Sequence, residues 1–137
     1  MIYRLFAVIV ILATKNMLEQ FGDIRIINES VTLSELKKIA EEQFGDMVKA
    51  VVDIERAIMA IGGEMHADEE RVLLEDGSQQ DDLWGVNLYP DASGENFVEF
   101  DSMVNIRPRQ GNRSRGVESE QTRAAILKVI KKLVKYV

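Results

Sequence analysis

The C-terminal segment that begins near Ser119 carries an apolar stripe at helical spacing, and no other feature limits the possible folds as strongly. The stripe consists of residues three or four positions apart, namely Ile126, Ile130, Leu133 and Val137. Two acidic residues stand at its start and five basic residues follow, which is the charge order that a helix dipole favours. A helix with one apolar face must bury that face against a second layer. The sequence therefore predicts a layered domain that a terminal helix closes.

A second amphipathic helix is predicted in the first half of the chain. Residues Thr32-Leu-Ser-Glu35 form a capping box, in which the Thr32 hydroxyl and the Glu35 carboxylate each accept a backbone N–H of the other residue. The next apolar residues fall on one helical face, and these are Leu36, Ile39, Ala40 and Phe44. Gly45 suits the left-handed position that ends a helix.

Four apolar runs lie between these helices and are predicted to be strands, at residues 48–54, 58–61, 84–89 and 97–107. The last run alternates most regularly, and Pro108 ends it. A short helix is predicted between the second and third runs, at residues 68–74. A turn near residues 55–57 would pair the first two runs as a hairpin. Short turns between consecutive strands favour antiparallel pairing. The prediction is an α+β fold of two layers, with an antiparallel four-stranded meander packed by an N-terminal and a C-terminal helix.

The length of 137 residues predicts one domain, and the first residues stand apart from it. We assign residues 23–137 to a single α+β domain and residues 1–22 to an apolar N-terminal appendage. The apolar run from Leu5 to Ala13 is shorter than the ~20 residues that a membrane-spanning helix needs. A buried strand, an extension from an upstream start that precedes Met17, and a short anchor are the alternatives for this segment. The membrane is a partner only if the segment at 5–13 acts as an anchor.

Composition excludes several classes of function. The chain has no cysteine, so disulfides, cysteine–zinc sites and thiol nucleophiles are ruled out. A reducing compartment fits this composition, and we expect a small soluble domain in the cytoplasm. The net charge of −6 argues against coating nucleic acid, which depends on neutralising phosphates.

Residues 105–116 read NIRPRQGNRSRG and hold four arginines with no acidic residue among them, so we call this segment the arginine loop. Gly111 and Gly116 allow the backbone to turn its N–H groups inward, a form that binds anions. Guanidinium groups add forked donors that suit phosphate or carboxylate. We therefore predict an anionic ligand here, bound by Asn105, Arg107, Arg109, Asn112, Arg113 and Arg115.

The arginines of this loop have a simpler alternative role, which is pairing within the fold. The segment at 64–82 holds eight acidic residues and one basic residue, and Asp101 and Glu118 flank the arginine loop. No Walker motif of the GxxxxGK[ST] type occurs, so the signal for a phosphate site is a general one. The sequence leaves both alternatives open.

His66 is the single histidine of the chain and stands among carboxylates. A general base at this position would be tuned by Asp68 or Glu69, so these three residues are the candidates for catalysis. One alternative is a metal ligand that acts with two carboxylates. Another is a capping or hydrogen-bonded surface histidine in front of an acidic helix.

One face of the predicted sheet is polar and carries Asp53, Asn87 and Asp101. Such a face is usually solvated, but it also suits the floor of a binding site. A metal ion needs three or more ligands from separate elements. The sequence predicts no metal site and identifies no cofactor.

Four long stretches carry a family resemblance: FGDMVKAVVDIE (44–55), GGEMHADEE (62–70), LLEDGSQQDDLWGVNLYP (73–90) and FDSMVNIRPRQGNRSRGVES (100–119). In these stretches the chain resembles a family of short bacterial and archaeal proteins that is catalogued as a domain of unknown function. The resemblance extends from about Ile24 to the C-terminus and leaves residues 1–22 outside. It implies no activity, substrate or catalytic residue.

The arginine loop supports three functional hypotheses of different classes. The first is a small domain, with enzyme activity left open, that binds a phosphate- or carboxylate-bearing ligand. The second is a protein-interaction or structural module, in which the acidic segment of one copy meets the loop of another copy, giving a homo-oligomer, or of a partner. The third, a nucleic-acid binder, is disfavoured by the acidic surroundings and by the lack of aromatic residues in the loop.

Overall fold

A five-stranded antiparallel sheet organises residues 24–136, the part of the chain that this structure, a computed structural model, describes. In chain order the elements are β1 (Arg25–Ile27), β2 (Val31–Thr32), α1 (Leu33–Glu42), β3 (Val48–Asp53), β4 (Ile58–Ile61), α2 (His66–Glu75), β5 (Leu83–Leu88), β6 (Val98–Glu99), α3 (Glu120–Leu133) and β7 (Val134–Lys135). The strand order is β1-β4-β3-β5-β6, and β2 and β7 form a separate parallel pair. The fold is a mixed α+β fold. The predicted appendage at 1–22, with its apolar run at 5–13, lies outside the described residues.

β3 lies at the centre of the sheet, between β4 and β5, and its face towards α1 and α3 is apolar. Residues 50–53 of this strand are all buried, as expected of a strand that is covered on both sides. A hairpin joins β3 to β4, and in it Asp53 Oδ1 accepts the backbone N–H groups of Glu55 and Arg56 at 2.9 Å each. The hairpin that the sequence predicts near residues 55–57 is therefore present.

The predicted four-stranded meander differs from the observed sheet in its connections. After β4 the chain forms α2 and returns on the other side of the hairpin, so β5 pairs with β3 and not with β4. β1 adds a fifth strand beside β4. Turn signals indicate that a chain reverses, but they do not specify which side of a hairpin the next strand joins.

Helices cover both faces of the sheet, so the predicted two-layer arrangement is wrong. α1 and α3 bury Leu36 and Ile126 in a core that includes Val52 of the sheet. α2 packs Leu73 into a second core that includes Val51. Adjacent residues of a strand point to opposite faces, so the two cores lie on opposite sides. The third layer was not predicted, because two of the three buried residues of α2, His66 and Glu69, are polar.

The strand predicted at 97–107 is wrong over most of its length. β6 ends at Glu99, and residues 103–105 and 108–110 form 3₁₀ turns. The hydroxyl of Ser102 accepts the backbone N–H of Val104 at 3.2 Å and starts the first of these turns. An alternating pattern does not reveal such local bonding between a side chain and the backbone, which competes with a strand.

Both amphipathic helices begin where their capping residues indicate. At α1, Thr32 Oγ1 accepts the N–H of Glu35 at 3.1 Å, and Glu35 Oε2 accepts the N–H of Thr32 at 3.0 Å. At α3, Ser119 Oγ accepts the N–H of Thr122 at 3.2 Å. Across residues 24–136, no helix is long and apolar enough to cross a membrane.

Candidate functional site

The pairing of β5 with β6 covers only Asn87 and Leu88 of β5. Beyond it, the side chain of Asn105 bonds to the backbone of β5 as a neighbouring strand would. It is fully buried. Its Oδ1 accepts the N–H of Gly85 at 2.8 Å, and its Nδ2 donates to the carbonyls of Gly85 at 2.9 Å and Arg115 at 3.0 Å. A Cβ at Gly85 would come within 2.6 Å of Ser102, so glycine is needed for this close approach. Asn105, predicted to bind a ligand, instead bonds to the protein backbone.

The side chain of Asn112 joins the two ends of the arginine loop through hydrogen bonds. Its Nδ2 donates to the carbonyls of Asn105 at 2.7 Å and Gly116 at 2.8 Å, and its Oδ1 accepts the N–H of Glu118 at 2.9 Å. Its backbone also pairs with that of Arg107, at N···O distances of 2.8 and 3.2 Å. These bonds use the donors that the anion-binding prediction assigned to a ligand.

The guanidinium of Arg107 is buried and holds the arginine loop against β5. Its Cζ lies 4.1 Å from the centroid of the Trp84 ring. Nη2 donates to the carbonyl of Leu83 at 2.7 Å, and Nη1 donates to the carbonyl of Gln80. Burial lowers the pKa of Arg107, while the carboxyl of Glu70 raises it. A guanidinium stays charged at any working pH, so burial needs these oxygen and ring contacts.

The other three arginines of the arginine loop are exposed. Arg109 Nη2 lies 2.6 Å from Asp81 Oδ1, and Arg115 Nε lies 2.6 Å from Asp101 Oδ1. The guanidinium of Arg113 has no ion-pair partner among the described residues. The six predicted ligand-binding residues therefore do not converge on one cleft. Ligand binding by this loop stays a prediction, whereas the pairing with acidic residues is observed at two of its arginines.

A second group of polar side chains lies on the sheet face that α2 covers. Lys49 of β3 stands opposite Asn87 of β5 in the antiparallel register. His66 and Glu69 lie one helical turn apart on α2, and both are buried. Asn87 and Lys49 are both close enough to His66 to influence its pKa, and Lys49 also influences the pKa of Glu69. We call these four residues the His66 cluster.

Glu69 is the carboxyl of this cluster and has no exposed surface. Its Oε2 accepts the N–H of Gly63 at 3.0 Å, and its Oε1 has no hydrogen-bond partner among residues 24–136. Burial raises the pKa of Glu69 well above its usual value, against the lowering effect of the Gly63 N–H. A Cβ at Gly63 would lie 2.8 Å from Glu69 Cγ, so this glycine makes room for the acid. Burial therefore shifts the balance towards the protonated form of Glu69.

His66 is a buried residue, which corrects the expectation of a surface histidine. Its Nε2 lies 2.8 Å from the carbonyl oxygen of Val86. Because a carbonyl oxygen only accepts, Nε2 carries the proton, and Nδ1 of the neutral ring is an acceptor. Burial lowers the pKa of His66, the Val86 carbonyl opposes this effect, and Lys49 lowers the pKa further. The neutral imidazole is thus the form that the site favours at neutral pH.

Asn87 connects the His66 cluster to the protein surface. Its Nδ2 donates to Glu99 Oε1 at 2.8 Å and to the main-chain carbonyl of Asp101 at 3.4 Å. The hydroxyl of Tyr89 donates to the same Glu99 oxygen at 3.1 Å. Asn87 Oδ1 is buried and has no partner in the described part of the chain. Since Asp101 holds Arg115, one arginine of the arginine loop lies at the rim of the cluster.

The remaining predicted residues occupy different places. Asp53 is fully buried in the β3–β4 hairpin, and Asp68 is half-buried beside Glu69, whose pKa it raises.

The sequence reasoning missed Lys49. Its alternation with buried residues of β3 was visible, but the register that sets it opposite Asn87 was not. Among residues 24–136, no three His, Asp or Glu side chains are placed to hold a metal ion.

Comparison with known proteins assigns most of the chain to one protein family. A search of curated proteins finds no match, and a search of solved structures finds none. A family model described as protein of unknown function (DUF5674) matches residues 25–133. The matched range includes the arginine loop and the His66 cluster, and it begins beyond residues 1–22. The chain therefore belongs to the family of proteins of unknown function DUF5674.

Proposed function

We propose that the His66 cluster, with Arg115 at its rim, binds a small molecule that carries a carboxylate or phosphate group. The observation that carries this proposal is a pair of buried oxygens, Glu69 Oε1 and Asn87 Oδ1, that lack a hydrogen-bond partner within residues 24–136. An unpaired buried polar group costs roughly 1–3 kcal/mol. Perturbed and unsatisfied polar groups concentrate at functional sites.

The anionic group of the ligand is assigned to the two cations beside these oxygens. Lys49 stands next to Asn87 across the strand pair, and Arg115 reaches the same region through Asp101. The Arg115–Asp101 pair is exposed at both side chains, and such a pair contributes only about 0–1 kcal/mol. A carboxylate or phosphate can therefore replace Asp101 on the guanidinium at small cost.

We assign the rest of the ligand, which is polar, to the buried side chains of Glu69 and Asn87. Because Glu69 Oε2 accepts the Gly63 N–H, Oε1 is the oxygen that donates when the acid is protonated. Asn87 Oδ1 accepts, so a ligand that offers one acceptor and one donor satisfies both oxygens. A protonated carboxyl and a neutral imidazole also suit proton transfer.

The test uses two arginine variants that are matched in exposure and in ion pairing. Arg109→Ala and Arg115→Ala each remove an exposed arginine that pairs with a carboxylate at 2.6 Å, but only Arg115 adjoins the cluster. The probes are inorganic phosphate, ATP and citrate, followed by calorimetry and by the NMR signal of the Asn87 side-chain amide. We expect one probe to bind wild type and Arg109→Ala equally and Arg115→Ala about ten-fold more weakly. Equal affinity in the two variants, or no response to any probe, would refute the proposal.

The interaction-module hypothesis has one observation in its favour, which is the unpaired guanidinium of Arg113 in the described part of the chain. The pairs of Arg109 with Asp81 and of Arg115 with Asp101 use charges of the same chain. Less charge is then free for a second copy, or for nucleic acid. Sedimentation at low and high salt is the test, because salt screens exposed charge contacts. A monomer at both salt concentrations contradicts self-association through these charges.

A further inference from the structure

An apolar groove lies on the side of the sheet that α1 and α3 cover. Its volume is about 610 Å³, within the ~300–1,000 Å³ range of small-molecule sites. An adjoining recess of about 540 Å³ shares Gly94, Val98 and Leu127 with the groove. The apolar lining includes Leu33, Phe97, Val98, Leu127, Ile130 and Tyr136. The groove and the recess therefore adjoin each other beside α3.

Two large side chains of this groove remain open to solvent. Leu127 is 43% exposed and Tyr136 is 67% exposed. The Tyr136 ring lies against Phe97, with 6.2 Å between the ring centroids. Apolar surface of this kind gains free energy when a ligand removes it from water.

The charged residues of the groove and recess are mostly basic, although the whole chain is acidic. Lys37 from α1 and Lys131 from α3 line the groove, and Arg123 lines the recess. Two carboxylates line the same cavities, and these are Asp91 and Glu95. Asp91 Oδ1 lies 3.5 Å from Lys37 Nζ in an exposed pair, whereas Lys131 has no ion-pair partner among the described residues. The excess of positive charge beside apolar surface complements an anionic head group.

We propose that this groove binds a single-chain amphiphile with an anionic head, of the fatty-acid type. The alkyl chain lies along Val98 and Leu127, and the head group lies at Lys131 with Lys37 opposite. An apolar body with one charged end matches the two kinds of lining residue. The site is separate from the His66 cluster, so either proposal stands or fails without the other.

The first test measures binding of dodecanoate to the full chain by calorimetry, below the concentration at which it forms micelles. Leu127→Glu places a carboxylate in the groove, and we expect it to weaken binding at least about ten-fold. Leu74→Glu is the matched control, since Leu74 is 38% exposed on α2, across the sheet. We expect Leu74→Glu to bind dodecanoate as wild type does.

The second test concerns the head group and uses two lysines of the same helix. Lys131 lines the groove, whereas Lys128 is exposed and is not among the lining residues. We expect Lys131→Ala to weaken dodecanoate binding about five-fold and Lys128→Ala to leave it unchanged. Dodecyl maltoside, which has a neutral head, should bind more weakly than dodecanoate and should not distinguish these variants.

Three results would overturn the inference. These are no saturable binding of dodecanoate to wild type, equal binding by Leu127→Glu and Leu74→Glu, and a wild-type dimer that Leu127→Glu converts to a monomer. The last result would assign the groove to contact between copies of the chain.

Discussion

The arginine loop and the His66 cluster differ in how completely their polar groups are bonded. In the loop, Asn105 and Asn112 bond to backbone groups through both atoms of their amides, and Arg107 bonds through both Nη atoms. Arg107 Nε is the one buried side-chain atom of the loop without a partner within residues 24–136. In the cluster, Glu69 and Asn87 each keep a buried oxygen without a partner within residues 24–136. The arginines of the loop are adjacent in the sequence, whereas the four residues of the cluster come together only in the folded chain. Charge density therefore distinguishes the loop in the sequence, whereas unpartnered buried oxygens distinguish the cluster in the structure.

The difference also appears in the protonation of the two regions. The arginines stay charged and find carbonyl or carboxylate oxygens. Glu69 and His66 lose water without gaining an ion pair within residues 24–136, and burial raises the pKa of Glu69 and lowers the pKa of His66. Both shifts favour neutral groups, which a fold tolerates in its interior.

The largest expected effect comes from Asn105→Ala, which tests whether the loop is structural. The change leaves both backbone groups of Gly85 and the carbonyl of Arg115 without the Asn105 amide. Each unpaired buried group costs about 1–3 kcal/mol, so the free energy of unfolding should fall by roughly 3 kcal/mol or more. Urea denaturation measures the loss. Asn28→Ala, at an exposed turn, is the control and should change stability by less than about 0.5 kcal/mol; equal losses would contradict the structural role.

A smaller effect is expected from Glu69→Gln, and it should depend on pH. The folded protein binds the Glu69 proton more tightly than the unfolded chain does, because burial raises the pKa of Glu69 above its usual 4.5. The contribution of this acid to stability is complete below that pH and is lost as the pH rises towards the folded pKa, by up to ~1.4 kcal/mol per pH unit. Glu69→Gln removes this loss, so the variant should gain stability relative to wild type as the pH increases.

Urea unfolding at about pH 5 and about pH 8 measures this gain, since the two values bracket part of that window. The exposed Glu64→Gln controls for the removal of one negative charge. Parallel pH profiles for wild type and Glu69→Gln would show that Glu69 is not held as a neutral acid.

The smallest effect is expected from Arg109→Ala, which removes an exposed ion pair with Asp81. Surface pairs contribute at most about 1 kcal/mol, and salt weakens them. Arg107→Ala is the matched substitution, because it removes the hydrogen bonds to the carbonyls of Gln80 and Leu83 and the contact with Trp84 from the same loop. Thermal unfolding of the two variants compares them. If Arg109→Ala destabilises the protein as much as Arg107→Ala, the distinction between exposed and buried arginines does not hold.

Much of the local structure could be predicted, whereas the sheet and the site could be predicted only in part. The capping residues of both amphipathic helices and the hairpin at 55–57 depend on residues a few positions apart. The strand predicted at 97–107 failed because Ser102 and Asn105 bond through their side chains. His66, Glu69 and Asn87 were named as candidates from their residue types. Lys49 was not, since its place depends on the register between β3 and β5.

The sequence by itself determined where α1 and α3 begin and that β3 reverses into β4. Capping and turn formation are local, so each needs only neighbouring residues. The tertiary structure alone decided that α2 covers the second face of the sheet, that Arg107 is buried against Trp84, and that Glu69 lies unexposed beside Gly63. Burial and strand register depend on which distant segments pack together, because each is a property of the assembled layers and not of any single segment.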